Sequence, residues 1–400
     1  MVLKKCSQEQ YKLSIYDSID LIKKDDWQEI QKDTNLYLSI PYLKSLELSM
    51  SHQVEFRYLM FYDNQVRPLG IAYVQILEFE NIGDTYAEYL PKFGDRFSKA
   101  FLNKLGIKIM ICGNTFVTGE NGFAFCESMS FQDSLKLLTD GLLRLRNHEK
   151  EEDRVSVFLM KEFWEKSFSS SDKILKGADF RGFDVDVNMV LKLNPNWHHL
   201  DDYMADMRTK FRTKAKAAFK KSSNLVIKEL RLNDIEKHQK RIEELFLNVL
   251  KRASFKLSDL NGTSFLNFKH CLKENNIVLG YFLDEKLIGF SSSFIDGHYL
   301  DANYVGIDYD FNLEHALYSR MLYDFVEISI RKGMKELRLG RTAEEIKSGV
   351  GGEPVHLRLY IKHTNKLSNR LLKSLVKNIV PSEFELRKPF KAEVYDNWIH

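Results

Sequence analysis

The sequence has little cysteine, and none of it is arranged for chemistry. Cys6, Cys112, Cys126 and Cys271 lie far apart and form no Cys-x-x-Cys pair. They read as reduced thiols, which excludes a disulfide framework and a cysteine-rich zinc module. The eleven histidines include no His-x-His and no His-Glu-x-x-His, so neither a metal centre nor a hydrolase triad is supported. There is no Walker loop and no Gly-x-Gly-x-x-Gly, and GTSF and SSSF lack the nucleophile-elbow pattern. No apolar run reaches the ~18 residues of a membrane-spanning helix. MVLKKCSQEQYK turns polar before a signal-peptide core could form, so a cytoplasmic protein is expected. No Ser/Gly linker separates two halves, so the halves are expected to share an interface and trade strands.

What is present is ample apolar content and one concentrated charge. At 400 residues, 44% hydrophobic and 29% charged, the chain is too long for one ordinary core, and two domains are expected. Net charge is +3, yet seven Lys/Arg and no acid fall between Arg208 and Lys221, leaving 52 basic against 56 acidic residues elsewhere. The positive character is local. It suggests one anionic contact, not a nucleic-acid-coating surface.

Period places the elements. Ile277–Leu283, Leu287–Phe294 and Tyr299–Ile307 read as three strands. A helix follows, with Leu317, Met321, Leu322, Phe325 and Ile328 on one face and Gly333 as its C-terminal stop. Lys335–Leu339 returns as a strand. The helix N-terminus near Asn312–Glu314 is expected to face a ligand. The first half repeats this order: Tyr42–Met50 helix, Phe56–Tyr62, Leu69–Phe79 and Ile107–Cys112 strands, Ser130–Arg146 helix, Val155–Met160 return strand. The repeat, at a spacing of roughly 220 residues, implies two similar domains. The boundary is expected near Asn194-Pro195-Asn196, giving domains 1–193 and 194–400. SFSSSD (Ser167–Asp172) reads as a surface loop. Gly113–Gly122 and Gly349–Gly352 read either as backbone approaches to a ligand or as loop punctuation. Lys366–Ile379 reads as a closing amphipathic helix whose Lys366, Arg370, Lys373 and Lys377 suit a solvated face or peripheral membrane contact.

YFLDEKLIGF, DANYVGIDYDFN, the helix ending RKGM, LGRTAEEIK and, upstream, YMADMRTKFRTKAKAAFKK resemble the GNAT-superfamily acyltransferases in their FemAB-like branch. The resemblance covers roughly residues 196–365. It implies an α/β fold with a mixed sheet, two tandem GNAT-like (acyl-CoA N-acyltransferase) domains, and a transferase joining an acyl or aminoacyl group to an amine. Acyl-CoA is the favoured donor, because the stretch between the basic helix and Leu279 has room for one helix (Ile235–Lys251) and a short second (Ser264–Glu274), without the helical hairpin of tRNA-using relatives. Aminoacyl-tRNA is the alternative donor, and a cell-envelope or lipid precursor the implied amine acceptor. No metal is implied. The reading from another class is a non-catalytic binding module.

Candidate site residues follow from both lines. Met204, Met207, Phe211, Ala215 and Ala218 form an apolar stripe, with Arg208, Arg212, Lys216 and Lys220 on another face. That row suits an anionic ligand or pairing with acids, and the resemblance weights Arg208 and Arg212 toward ligand. Strand alternation puts Asp301, Asn303 and Val305 on one side, with Ala302, Tyr304 and Gly306 on the other. Amide formation needs a base for the attacking amine. Asp301 is the first candidate and Asp308 the second, with helix capping the other reading of Asp308. Tyr318 suits protonation of a departing thiolate, or a half-buried aromatic role. Arg341 and Lys347 leave the C-terminal edge of the return strand, where they suit a phosphate or carboxylate; an Arg341 ion pair with Glu344 or Glu345 is the alternative. The superfamily's usual pyrophosphate loop is missing, and FNLEHALYS stands in its place.

Overall fold

A computed structural model describes residues 11–32, 35–79, 107–149, 154–252, 260–377, 379 and 381–396. Cys6 and the MVLKKCSQEQ start lie outside the described residues. The chain divides into two compact units: Met1–Val185 with His356–Pro381, and Asp186–Val355 with Ser382–His400.

In the first unit, β1 (Lys12–Tyr16), β2 (Glu55–Tyr62), β3 (Pro68–Phe79), β4 (Ile107–Cys112), β6 (Val157–Trp164) and β13 (Glu353–His363) lie in that order, with β5 (Phe123–Phe125) on β3. Pairings are antiparallel except β4 with β6. That parallel step requires a crossover, supplied by helix Phe131–His148, whose Leu135, Leu138, Leu142 and Leu145 are buried against the sheet. Ser130 caps its start.

The second unit repeats the scheme. β8 (Val226–Glu229), β9 (Asn276–Leu283), β10 (Lys286–Asp296), β11 (Tyr299–Ile307), β12 (Glu336–Arg338) and β7 (Arg181–Lys192) follow in order. Only β11 and β12 are parallel. Their crossover is helix Leu317–Arg331, whose Leu322, Phe325, Val326 and Ile328 fill a core with Leu300, Leu337 and Leu339.

Each unit is closed by a strand from the other half of the sequence. Leu357–His363 of β13 pair with β6, and Val190–Lys192 of β7 pair with β12. The expected trade of strands is found, and it corrects the domain limits. The chain crosses within β7, upstream of the proline, and residues 356–381 return to the first unit. Residue composition marks a linker, but a crossing inside a continuous strand leaves no such mark.

Two other expectations change. SFSSSD is not a loop: it joins a 3-10 turn (Glu165–Ser167) to helix Phe168–Gly177. Ser171 donates to the Ser167 carbonyl (2.7 Å), lies 2.8 Å from the Tyr360 hydroxyl and is buried, so serine here serves the helix from inside. The single helix expected at Ile235–Lys251 is two, Leu232–Lys237 and Gln239–Leu250, broken at His238.

Candidate functional site

In the second unit the sheet opens between β11 and β12. They share three residue pairs, ending at Asp301 with Arg338. Beyond that point the return strand stays with β7: Leu339 N donates to Met189 O (2.8 Å) and Met189 N to Gly340 O (3.1 Å). β11 instead stays with β10 as far as Ile307. Two strands held by different neighbours must splay, and the opening lies at the carboxyl end of a strand in an α/β sheet, where ligands bind.

A β-bulge sits at this opening. Ser292 faces Tyr304 and Ser293 faces Ala302, so Asn303 is the extra residue. The bulge breaks the expected alternation. Ala302 and Val305 both pack on the core of helix Leu317–Arg331, while the Tyr304 ring meets Phe246, Phe265, Phe268 and Phe294. Asp301 therefore faces away from Ala302 and Val305, not alongside Val305 as a regular strand requires. It is 4% exposed, and Arg338 Nη1 lies 3.8 Å from its Oδ1. Arg338 also lies 3.9 Å from Asp296 and from Glu336, and over the Tyr299 ring. The sequence reading missed Arg338; its register position opposite Asp301 was the available signal.

The loop after β12 brings the second group of candidates to the same place. Gly340, Thr342 and Ala343 have φ of +74°, +67° and +53°, and for the two non-glycine residues this left-handed backbone is costly. The turn it makes starts the short helix Glu344–Ser348 and returns Lys347 inward. Lys347 is 5% exposed, and its Nζ donates to the Arg341 carbonyl at 2.6 Å. A side chain on Gly340 would begin 4.0 Å from both Ala302 O and Lys347 Nζ, so these groups surround one small space. Burial pulls the Lys347 amine down to about 7, with Glu344 opposing and the Arg341 charge adding to the fall. Tyr318 is half-buried, and its hydroxyl is raised by burial first and then by Tyr309 and Glu344. Glu344 is thus a shared electrostatic neighbour of Tyr318 and Lys347.

The helix N-terminus is not where the period put it. Tyr309–His315 is already helical, Ala316 (φ +49°) interrupts, and Leu317–Arg331 begins afresh. Asn312 Oδ1 accepts from Tyr318 N at 3.0 Å, so FNLEHALYS occupies one of the amides that an anion would have used. Asp308 takes its capping reading: its Oδ1 accepts from Asp310 N, and its Oδ2 pairs with Arg241 (2.6 Å) and Lys286 (3.3 Å). Burial raises this carboxyl, but Arg241 and Lys286 outweigh it and hold it below the usual range, which makes a poor base.

The basic helix spans Thr209–Lys221, buries Phe211, Ala215 and Ala218 as expected, and has Arg208 as its N-cap residue. Among the described residues of this unit, no carboxylate pairs with Lys210, Arg212, Lys214, Lys216 or Lys220. The C-terminal segment lies against the start of this helix. Arg208 N donates to Pro389 O (2.8 Å), the Arg208 guanidinium to Lys388 O, and Arg387 pairs with Glu345. Together they line an open pocket of about 460 Å³ carrying Arg208, Lys210, Lys214, Arg387 and Lys388 against one acid, Glu385. A smaller pocket of about 110 Å³ shares Phe211, Lys214 and Arg387 with it. Its walls are mostly apolar (Leu322, Tyr323, Ile346 and Val350), and it adjoins the segment that carries Lys347. Arg212 lines neither. Arg387 and Lys388, far along the chain, carried no local signal.

At the equivalent point of the first unit the opening is filled. The β4–β6 ladder ends at Cys112 with Met160, and Lys161 and Glu162 follow, 2.8 Å apart and buried. Lys161 Nζ donates to Val117 O and Gly119 N donates to Glu162 Oε2, both at 2.8 Å. Tyr73 N donates to Gly122 O, also at 2.8 Å. The glycine loop 113–122 therefore approaches its own strand.

No family model and no curated protein matches the sequence. Solved structures do. The chain is similar to FemX at 10% identity over 90% of this chain and 100% of that one, with a TM-score of 0.54. It is similar at 10% identity to a conserved protein of unknown function from Bacteroides thetaiotaomicron VPI-5482, over 88% of this chain and 99% of that one, with a TM-score of 0.50. A tandem GNAT protein from the clavulanic acid biosynthesis pathway follows at 9% identity, over 88% and 99%, with a TM-score of 0.47. The mixed α/β fold of two similar units that the sequence resemblance implies is the fold found, and it is shared with FemX.

Proposed function

We propose that the second unit is an N-acyltransferase that moves an acyl group from an activated donor to an amine at the opening between β11 and β12. The observation that carries this reading is the convergence of Ala302, Gly340 and the buried Lys347 amine at that opening. Asp301 takes the proton from the amine as its nitrogen attacks the donor carbonyl. The Lys347 ammonium donates toward the oxygen that becomes negative, an interaction strongest in the transition state. The tetrahedral centre then collapses with loss of the carbon–sulfur or carbon–oxygen bond, and Tyr318 protonates the leaving group. Asn303, set by the bulge, and Arg341 position the reacting groups. Arg208, Lys210 and Lys214, which line the basic pocket, hold the anionic part of a substrate, and Arg212 lies outside that pocket.

Acyl-CoA is the favoured donor. A basic pocket that shares Phe211, Lys214 and Arg387 with a smaller, more apolar one suits a phosphate-bearing thioester, and the described helices between Lys221 and β9 include no long hairpin. Aminoacyl-tRNA is the alternative, and an amine of a cell-envelope or lipid precursor the acceptor, by analogy with the branch. A thermal-shift series with CoA thioesters, UDP-sugar peptides and charged tRNA tests this. Acyl-CoA is expected to stabilise the protein and Arg208→Ala to reduce the shift about tenfold in apparent affinity. Stabilisation by charged tRNA alone would move the donor to the alternative. Stabilisation by none would overturn the acyl-transfer reading, and binding without amide formation would leave a binding module.

A further inference from the structure

The closing helix of the first unit is Lys366–Val376, and it presents an unusual outer face. Residues 366–377 carry Lys366, Arg370, Lys373 and Lys377 and no acid. Leu367 and Leu371, one turn apart, are 69% and 66% exposed. The helix is not loose. Asn365 Oδ1 caps it by accepting from Leu367 N (2.9 Å) and Ser368 N (3.1 Å). On its inner side Asn369 donates to Asp179 O and accepts from His363 N, both at 2.9 Å, and Val376 is buried. The inner face is therefore fixed by Asn369 and Val376, and the two leucines are held outward.

We infer that this face docks on an anionic lipid surface. An interfacial helix combines apolar side chains that enter the acyl boundary with cations that meet the headgroups, and here both lie on one preformed surface. Charge decides among partners. A nucleic acid would use the four cations but leave the leucines in water. A second copy packed leucine to leucine would bring like cations together, since a two-fold contact sets the same patch on both chains. An anionic bilayer satisfies both sets at once. No described helix is long and apolar enough to cross a membrane, so the contact is peripheral. The inference stands independently of acyl transfer.

Sedimentation of the full chain with vesicles tests it, using phosphatidylcholine alone and equal parts phosphatidylcholine and phosphatidylglycerol. Four cations near the surface predict a preference for the anionic vesicles of roughly a hundredfold or more, weakened by salt. Leu367→Ser/Leu371→Ser, both exposed and so expected to fold as the parent by circular dichroism, should lower anionic binding by about tenfold or more. Arg370→Gln/Lys373→Gln should lower it comparably and remove much of the salt dependence. Absence of binding to the anionic vesicles overturns the inference, as does a leucine variant that binds them as well as the parent. A parent dimer that the leucine variant converts to monomer would assign the face to a second copy, and an RNA fragment bound equally by both would assign the cations to nucleic acid; either result also overturns it.

Discussion

Lys347→Met is expected to lower turnover by about 10²- to 10³-fold while making the protein more stable at neutral pH. The size of the catalytic loss is that of removing one donor aimed at developing charge in a dry site. The stability gain has a separate cause. A lysine at 5% exposure must either hold a charge away from water or give up its proton, and burial brings this amine down to about 7. In the unfolded chain it titrates near 10.5, so between about pH 7 and pH 10.5 the unfolded state binds more protons. Parent stability should therefore rise with pH through that window, by up to about 1.4 kcal/mol per pH unit from this group. Below about pH 7 the amine is charged in both states, and the cost is present in full. Methionine fills a similar volume without charge. It leaves the Arg341 carbonyl without its 2.6 Å donor, at about 1–3 kcal/mol, which leaves a net gain of about 1–3 kcal/mol at pH 7. Urea midpoints of parent and variant from about pH 6 to pH 10 check the stability half. Parallel profiles would mean that Lys347 is not the buried titrating group described. Full turnover in the variant would remove Lys347 from the chemistry while leaving the pH argument intact.

Much of the second unit was legible because period is a local property. The strand Tyr299–Ile307 and the core face of helix Leu317–Arg331 follow from residue spacing alone, and Gly333 ends the helix with φ of +65°. The capping reading of Asp308 was also local, since a cap needs only its own first turn. The site was less legible for reasons that can be named. A bulge is decided by two strands together, so Asn303 gave no sign that Asp301 and Val305 face opposite ways. Lysine is among the residues least often buried, and only the turn through Gly340, Thr342 and Ala343 brings Lys347 inward. The basic row between Arg208 and Lys221 was plain, but its pocket is completed by Arg387 and Lys388 from the end of the chain. Domain limits failed for the same kind of reason, because β7 and β13 each change units without a break in strand character.

Glu162→Gln is expected to cost the first unit about 3–5 kcal/mol, the penalty of leaving one member of a buried ion pair without its counter-charge. In a regular strand neighbours point to opposite faces, yet Lys161 and Glu162 meet at 2.8 Å because Glu162 adopts φ of +55°. The pair then reaches the glycine loop from both ends, Lys161 through Val117 O and Glu162 through Gly119 N. Glutamine keeps the shape and one acceptor but removes the negative charge that stands 2.8 Å from the Lys161 ammonium. Hydrogen exchange read on peptides covering 113–122 and 157–164 is the local measurement, and protection there should fall by about 10²- to 4 × 10³-fold, since each 1.4 kcal/mol is a factor of ten. Lys161→Met/Glu162→Gln removes both charges and should lose less than the two single variants summed. Turnover, assigned to the other unit, should persist in any variant that remains folded. Unchanged exchange in Glu162→Gln would show that the loop is held by its other contacts, such as Tyr73 N to Gly122 O and Gln75 Oε1 from Thr115 N. The filled opening would then be a consequence of loop packing, and the ion pair incidental to it.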